Sequence, residues 1–99
     1  MEKHYKILQL RDLQTPYIWR SYSRALDNNF SLEDYDVVYD AHIDVDEFED
    51  DEQTLDRLWV MFNMDHPGDF EGRSMSVSDI IEFDDATYYV DSVGFKKIK

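Results

Sequence analysis

Between Val37 and Val45 the chain alternates strictly. Val37, Tyr39, Ala41, Ile43 and Val45 fall on one side, and Val38, Asp40, His42, Asp44 and then Asp46 fall on the other. Successive strand side chains point to opposite faces, so this pattern predicts a half-buried strand of an antiparallel sheet, apolar on one face and largely acidic on the other. An apolar sheet face has to be covered by another layer. The chain has 99 residues and no cysteine, so it can form one modest core with no disulfide to help hold it. The 15% aromatic content is the natural filling for that core.

The flanking sequence supplies the other elements. Tyr5, Ile7 and Gln9 alternate with Lys6, Leu8 and Leu10, predicting a first strand. Thr15 before Pro16 reads as a helix cap and first turn. Ile18, Tyr22, Ala25 and Leu26 continue it at helical spacing, and Asp27-Asn28-Asn29 ends it. Asp50 and Asp51 stand where a helix N-terminus favours negative charge. Leu55, Leu58, Trp59 and Phe62 then repeat at i, i+3, i+4 and i+7, and Pro67-Gly68 blocks continuation. Val77 to Phe83 and Thr87 to Asp91 read as strands around an Asp84-Asp85-Ala86 turn, and Phe95 to Ile98 as a last short strand. The order β-α-β-α-β-β-β predicts a single α+β domain over residues 1–99, with two helices packed on one face of a small, largely antiparallel sheet of four to five strands.

Charge narrows the partners. With 23 Asp and Glu against 10 Lys and Arg, the net charge is −13, which opposes direct binding to nucleic acid or to an anionic membrane. No Lys or Arg occurs from Asn28 to Asp56, whereas Lys3, Lys6, Arg11, Arg20 and Arg24 precede this stretch and Lys96-Lys97-Ile98-Lys99 ends the chain. No apolar run approaches the ~20 residues a membrane helix needs. Met1-Glu2-Lys3-His4 lacks the pattern of a secretory leader, and cysteine is absent, so the expected location is the cytoplasm.

The acidic run from Asp44 to Glu52 invites a calcium-loop reading. From Asp44, however, position 5 is Phe48 and position 6 is Glu49 where the EF-hand turn requires glycine. A solvated acidic loop that also caps the following helix, or an acidic docking surface, suits these residues better. Asp40, His42, Asp44 and Asp46 recur about 7 Å apart along one strand face, which suits an exposed polar face better than a metal site. Ser74, Ser76 and Ser78 lie outside any nucleophile-elbow pattern, and Gly68, Gly72 and Gly94 are too scattered to cradle phosphate. No catalytic, cofactor or metal-binding residue is therefore assigned, and the expectation is a protein that is not an enzyme. Most rings, among them Tyr17, Tyr22, Phe30, Tyr35, Tyr39, Trp59, Phe62, Tyr88, Tyr89 and Phe95, are expected in the core. Trp19 lies off the stripe of the first helix, beside Arg20, where an exposed Trp would suit a protein–protein hot spot.

The second half carries a recognisable pattern. A helix ending Phe62-Asn63 leads to Pro67-Gly68-Asp69-Phe70-Glu71-Gly72-Arg73-Ser74, then Ser76-Val77-Ser78-Asp79-Ile80, then Tyr88-Tyr89-Val90-Asp91-Ser92-Val93-Gly94-Phe95. With weaker matches at Tyr5–Leu10 and Glu33–Tyr39, the chain resembles the YodL-like family of small bacterial domains. The resemblance implies an origin in Gram-positive bacteria, phages or conjugative elements, and it supplies no catalytic residues. It gives Pro67 and Gly72 a turn-shaping role, Ser76 and Asp79 backbone hydrogen bonds, and Phe95 a place in the core.

Two functions follow as expectations. In the first, an acidic mobile-element or phage protein inhibits a host nucleic-acid-handling defence protein, in anti-CRISPR or anti-restriction fashion, by imitating the field of DNA. Its partner-binding residues would be Asp44, Asp46, Glu47, Glu49, Asp50, Asp51 and Glu52 with Trp19, facing a basic protein surface such as a nuclease channel. In the second, the chain is an adaptor docking through exposed aromatics, Trp19 or Tyr17, and a sheet edge.

Overall fold

The structure, a computed structural model, describes residues 1–99. Its elements follow the order β1 (Glu2–Leu10), α1 (Tyr22–Asp27), β2 (Tyr35–Asp44), α2 (Asp51–Met64), β3 (Ile80–Phe83), β4 (Ala86–Val90) and β5 (Phe95–Lys97). The strands form one five-stranded sheet ordered β2-β1-β3-β4-β5, antiparallel throughout. The chain is thus the α+β domain that the element order implies.

The helices do not share a face. Tyr5, Ile7, Ile81, Phe83, Tyr88 and Val90 pack with Leu55, Leu58 and Phe62 of α2. Leu8, Leu10, Ile80 and Tyr89, their alternates along the same strands, pack with Tyr17, Tyr35 and Ala25 of α1. Alternate strand residues point to opposite faces, so α2 covers one face and α1 the other. The cause is local: Ile7-Leu8, Ile80-Ile81 and Tyr88-Tyr89 are consecutive apolar pairs, and each pair requires cover on both sides.

The alternation in β2 also breaks. Ile7 pairs with Tyr39 but Leu8 pairs with Val37, leaving Val38 as the extra residue of a β-bulge. Tyr39, Ala41 and Ile43 therefore face α2. Val37, predicted to share their face, lies on the α1 side beside Leu8, and Tyr35 lies there beside Leu10.

The first helix is shorter than Thr15-Pro16 suggests. Residues 13–19 form successive turns, with Ile18 N–H bonded to Thr15 O (3.1 Å) and Arg20 N–H to Tyr17 O (3.0 Å). The helix begins after Ser21, whose Oγ accepts from Arg24 N–H (3.4 Å). Trp19 at φ 60° interrupts any earlier start, because a left-handed residue cannot continue a right-handed helix. Tyr17 therefore enters the core and Leu26 stays exposed. β3 likewise begins at Ile80 rather than Val77, since Ser78 at φ 86° is incompatible with a strand.

α2 follows its sequence signals closely. Asp50 caps it and accepts from Gln53 N–H (2.8 Å), while Gln53 Oε1 accepts from Asp50 N–H (2.9 Å), a reciprocal capping box. Leu55, Leu58 and Phe62 are buried, and Trp59 sits at the rim at 36% exposure.

Candidate functional site

The turn from β2 into α2 gathers the acidic run at one corner. Much of that run is engaged within the fold. Asp44 receives the N-terminal ammonium of Met1 at 3.1 Å. Asp46 Oδ1 accepts from Phe48 N–H at 3.1 Å, closing a local Asx turn. Glu49 Oε2 accepts from Thr54 Oγ1 at 2.6 Å and from Arg57 Nε at 2.8 Å, and these two bonds, the Thr54 hydroxyl foremost, hold its carboxyl below the usual glutamate range. Asp50 is the helix cap, and Asp51 Oδ2 accepts from Tyr88 O–H at 3.2 Å.

Most of the run nonetheless faces outward. Asp44, Asp46, Glu47 and Asp50 are exposed at the end of β2 and on the turn, and Asp51 and Glu52 on the first turn of α2, with the Asx turn and the capping box fixing the path between them. Phe48 stands among them at 87% exposure. Glu49, by contrast, acts inward through Arg57, whose Nη2 also donates to Asp44 O at 2.6 Å. Asp50, Asp51 and Glu52 rim a shallow cleft with Tyr88 and Phe95.

Trp19 lies outside this corner. It is 58% exposed and shares a surface cleft with Pro16, Arg20, Ser21, Arg24, Asn28 and Ser92. Its backbone is held firmly. Trp19 N–H donates to Ser78 Oγ (3.0 Å), and the next carbonyl, Arg20 O, accepts from Tyr89 O–H (2.7 Å). Ser78 is itself buried and bonded through its carbonyl to Tyr35 O–H at 2.6 Å. Tyr17, the other ring expected to dock partners, is 1% exposed and donates to Asp34 Oδ2 at 2.8 Å, so it is unavailable.

The polar face of β2 meets β1. His4 pairs opposite His42 with ring centroids 5.0 Å apart, and His4 Nε2 bonds Asp40 Oδ1. That bond holds the Asp40 carboxyl below its ordinary range. No three His, Asp or Glu side chains converge to share a metal ion.

A buried polar brace was not apparent from the sequence. Gln9 Oε1 accepts from Arg73 N–H (2.9 Å), and Gln9 Nε2 donates to Arg73 O (2.8 Å) and Asp79 Oδ2 (3.1 Å). Asp79 Oδ2 also accepts from Ser76 N–H at 3.0 Å. Burial outweighs these bonds and pushes the Asp79 carboxyl up to about 6. A Cβ at Gly72 would lie 2.7 Å from the Phe70 ring and 2.8 Å from Gln9 Oε1, so the brace closes only over glycine. Gln9 was legible in one respect, as a polar residue on the same strand face as Tyr5 and Ile7. The turn from Pro67 to Asp79 is thus a structural clasp. Phe95 sits partly buried against the α2-side core.

No helix is long and apolar enough to cross a membrane. No curated protein and no solved structure matches the chain. A family model described as YodL-like domain matches residues 4–99, a span that includes the clasp, β4 and β5. The chain therefore belongs to the YodL-like domain family.

Proposed function

We propose that this chain is a non-catalytic binding domain that docks a basic protein surface through its β2–α2 corner. The supporting observation is the exposure of Asp46 and Glu47 on the turn, and of Asp51 and Glu52 on the first turn of α2, at a corner locked by the Asp50–Gln53 capping box. Anions fixed on a rigid element present a field without losing side-chain and loop freedom on binding, which favours fast, salt-dependent association. A nuclease of a restriction or CRISPR system, with its channel built to receive phosphates, is the class of partner this field suits. On this reading the chain is an anti-defence protein of a mobile element or phage, acting as a DNA mimic in the host cytoplasm.

The test is binding to purified nucleases of those systems across a salt series, with duplex DNA as competitor. The variant combines Asp46→Asn, Glu47→Gln, Asp51→Asn and Glu52→Gln and spares Glu49 and Asp50, which hold the loop. Binding should weaken at least about tenfold, and raising salt should affect wild type more than the variant. Unchanged affinity, or binding that ignores DNA, would sink the reading.

Trp19 supports a second reading, an adaptor domain. Its large ring is held outward by hydrogen bonds on both sides of its backbone and flanked by Arg20 and Arg24, the composition of interface hot spots. A partner lost on Trp19→Ala and retained by the charge variant would favour it.

A further inference from the structure

The outer edge of β2 is a second interaction surface. Val45 N–H bonds Met1 O at 2.7 Å, and the pairings Lys3↔Ile43, Tyr5↔Ala41 and Ile7↔Tyr39 continue that register. In an antiparallel ladder, hydrogen-bonded and non-hydrogen-bonded pairs alternate. Tyr39, Ala41 and Ile43 therefore direct their N–H and C=O groups toward β1, and Asp40, His42 and Asp44 direct theirs away from it. No strand lies beyond β2 in the sheet. Arginines close the two ends of this edge: Arg11 Nη2 donates to Tyr35 O (3.3 Å) and Arg57 Nη2 to Asp44 O (2.6 Å). Between those plugs, Asp40 and His42 present a free backbone edge.

We propose that this edge accepts an extended basic segment of a partner protein as a sixth, antiparallel strand. The charge pattern selects the occupant. A second copy pairing β2 to β2 would bring Asp40 and Asp44 against their equivalents, and each copy carries −13. Like charges placed opposite one another on neighbouring strands are destabilising. Asp40 and Asp44, still 54% and 85% exposed beside their partners His4 and the Met1 ammonium, attract a strand with Lys or Arg at alternate positions. The intervening side chains of that strand would lie on the other face, beside Tyr39 and Ala41, and should be apolar. This edge adjoins the acidic corner at Asp44 but uses none of Asp46, Glu47, Asp51 and Glu52, so either proposal can fail alone.

The probe is the peptide Lys-Val-Lys-Ile-Lys-Val-Lys, added to the intact 99-residue chain. Binding should slow hydrogen exchange of the Asp40 and His42 amides, measured by NMR. A peptide N-methylated at alternate positions, which removes the donors facing Asp40 and His42, should bind at least about tenfold more weakly. A block-ordered peptide of the same composition should lose the exchange protection. His42→Pro removes an outward N–H without touching the β1 ladder, so it should weaken binding while circular dichroism shows an unchanged fold. No binding up to ~1 mM would overturn the proposal. So would shifts confined to residues 46–52, equal binding of the N-methylated peptide, or self-association that the peptide displaces.

Discussion

Asp79 is the one carboxylate the fold takes fully out of water, at 1% exposure. Its pKa rises to about 6, first through desolvation, against an ordinary value of about 3.9 in the unfolded chain. The folded state thus favours the protonated acid. The resulting stability is fully present below about pH 4 and is lost as pH rises through about 6, an effect of about 2–3 kcal/mol. Asp79→Asn retains an acceptor for Ser76 N–H and Gln9 Nε2 without the charge. It should raise the melting temperature at pH 7 and flatten the pH dependence between those values, as followed by thermal denaturation. Glu49 works in the opposite sense. Its depressed pKa contributes stability that is present above the ordinary glutamate range and lost as pH falls through the folded value. Gly72→Ala should cost about 1–3 kcal/mol in a urea titration, because the buried Phe70 ring and the Gln9 amide would both have to move.

At the scale of elements, the two helices differ in what holds them. α2 has both a cap and a buried stripe, so Asp50→Ala should cost about 1 kcal/mol. Phe62→Ala should cost about 3–5 kcal/mol, since that ring packs edge-on against Tyr5, Tyr39 and Phe70. These features were legible because the cap, stripe and stop all agree. α1 departs from its sequence signals for the opposite reason. Thr15-Pro16 is a good local start, but Tyr17, buried against Phe30 and Tyr35, draws the chain inward and forces Trp19 left-handed. Such a tertiary pull leaves no periodic trace. Trp19→Gly should accordingly be about 1 kcal/mol more stable than Trp19→Ala, because both lose the exposed ring and only glycine is at ease at that φ. The second apolar sheet face overturns the expectation of both helices on one face, although the doublets Ile80-Ile81 and Tyr88-Tyr89 carry it. The Val38 bulge was hidden, since an extra apolar residue still fits an alternating pattern. The acidic corner was legible in sequence position, but not that Glu49 turns inward, because Thr54 and Arg57 reach it only once α2 has formed.

For the whole molecule, a net charge of −13 sits on a body measuring 38 × 26 × 21 Å. Self-repulsion at this density should make stability rise with salt. Going from ~10 mM to ~1 M shortens the screening length from about 30 Å to about 3 Å, and calorimetry should show a higher melting temperature. The sheet also divides the aromatic rings into two groups. Tyr5, Tyr39, Phe62 and Phe70 contact one another on the α2 side, and Tyr17, Tyr22, Phe30, Tyr35 and Tyr89 on the α1 side. No ring of one set stacks on a ring of the other, and the sets belong to separate buried clusters. Substitutions in one compartment can therefore accumulate without compensating changes in the other, which leaves an evolving lineage free to rebuild one side while inheriting its opposite intact.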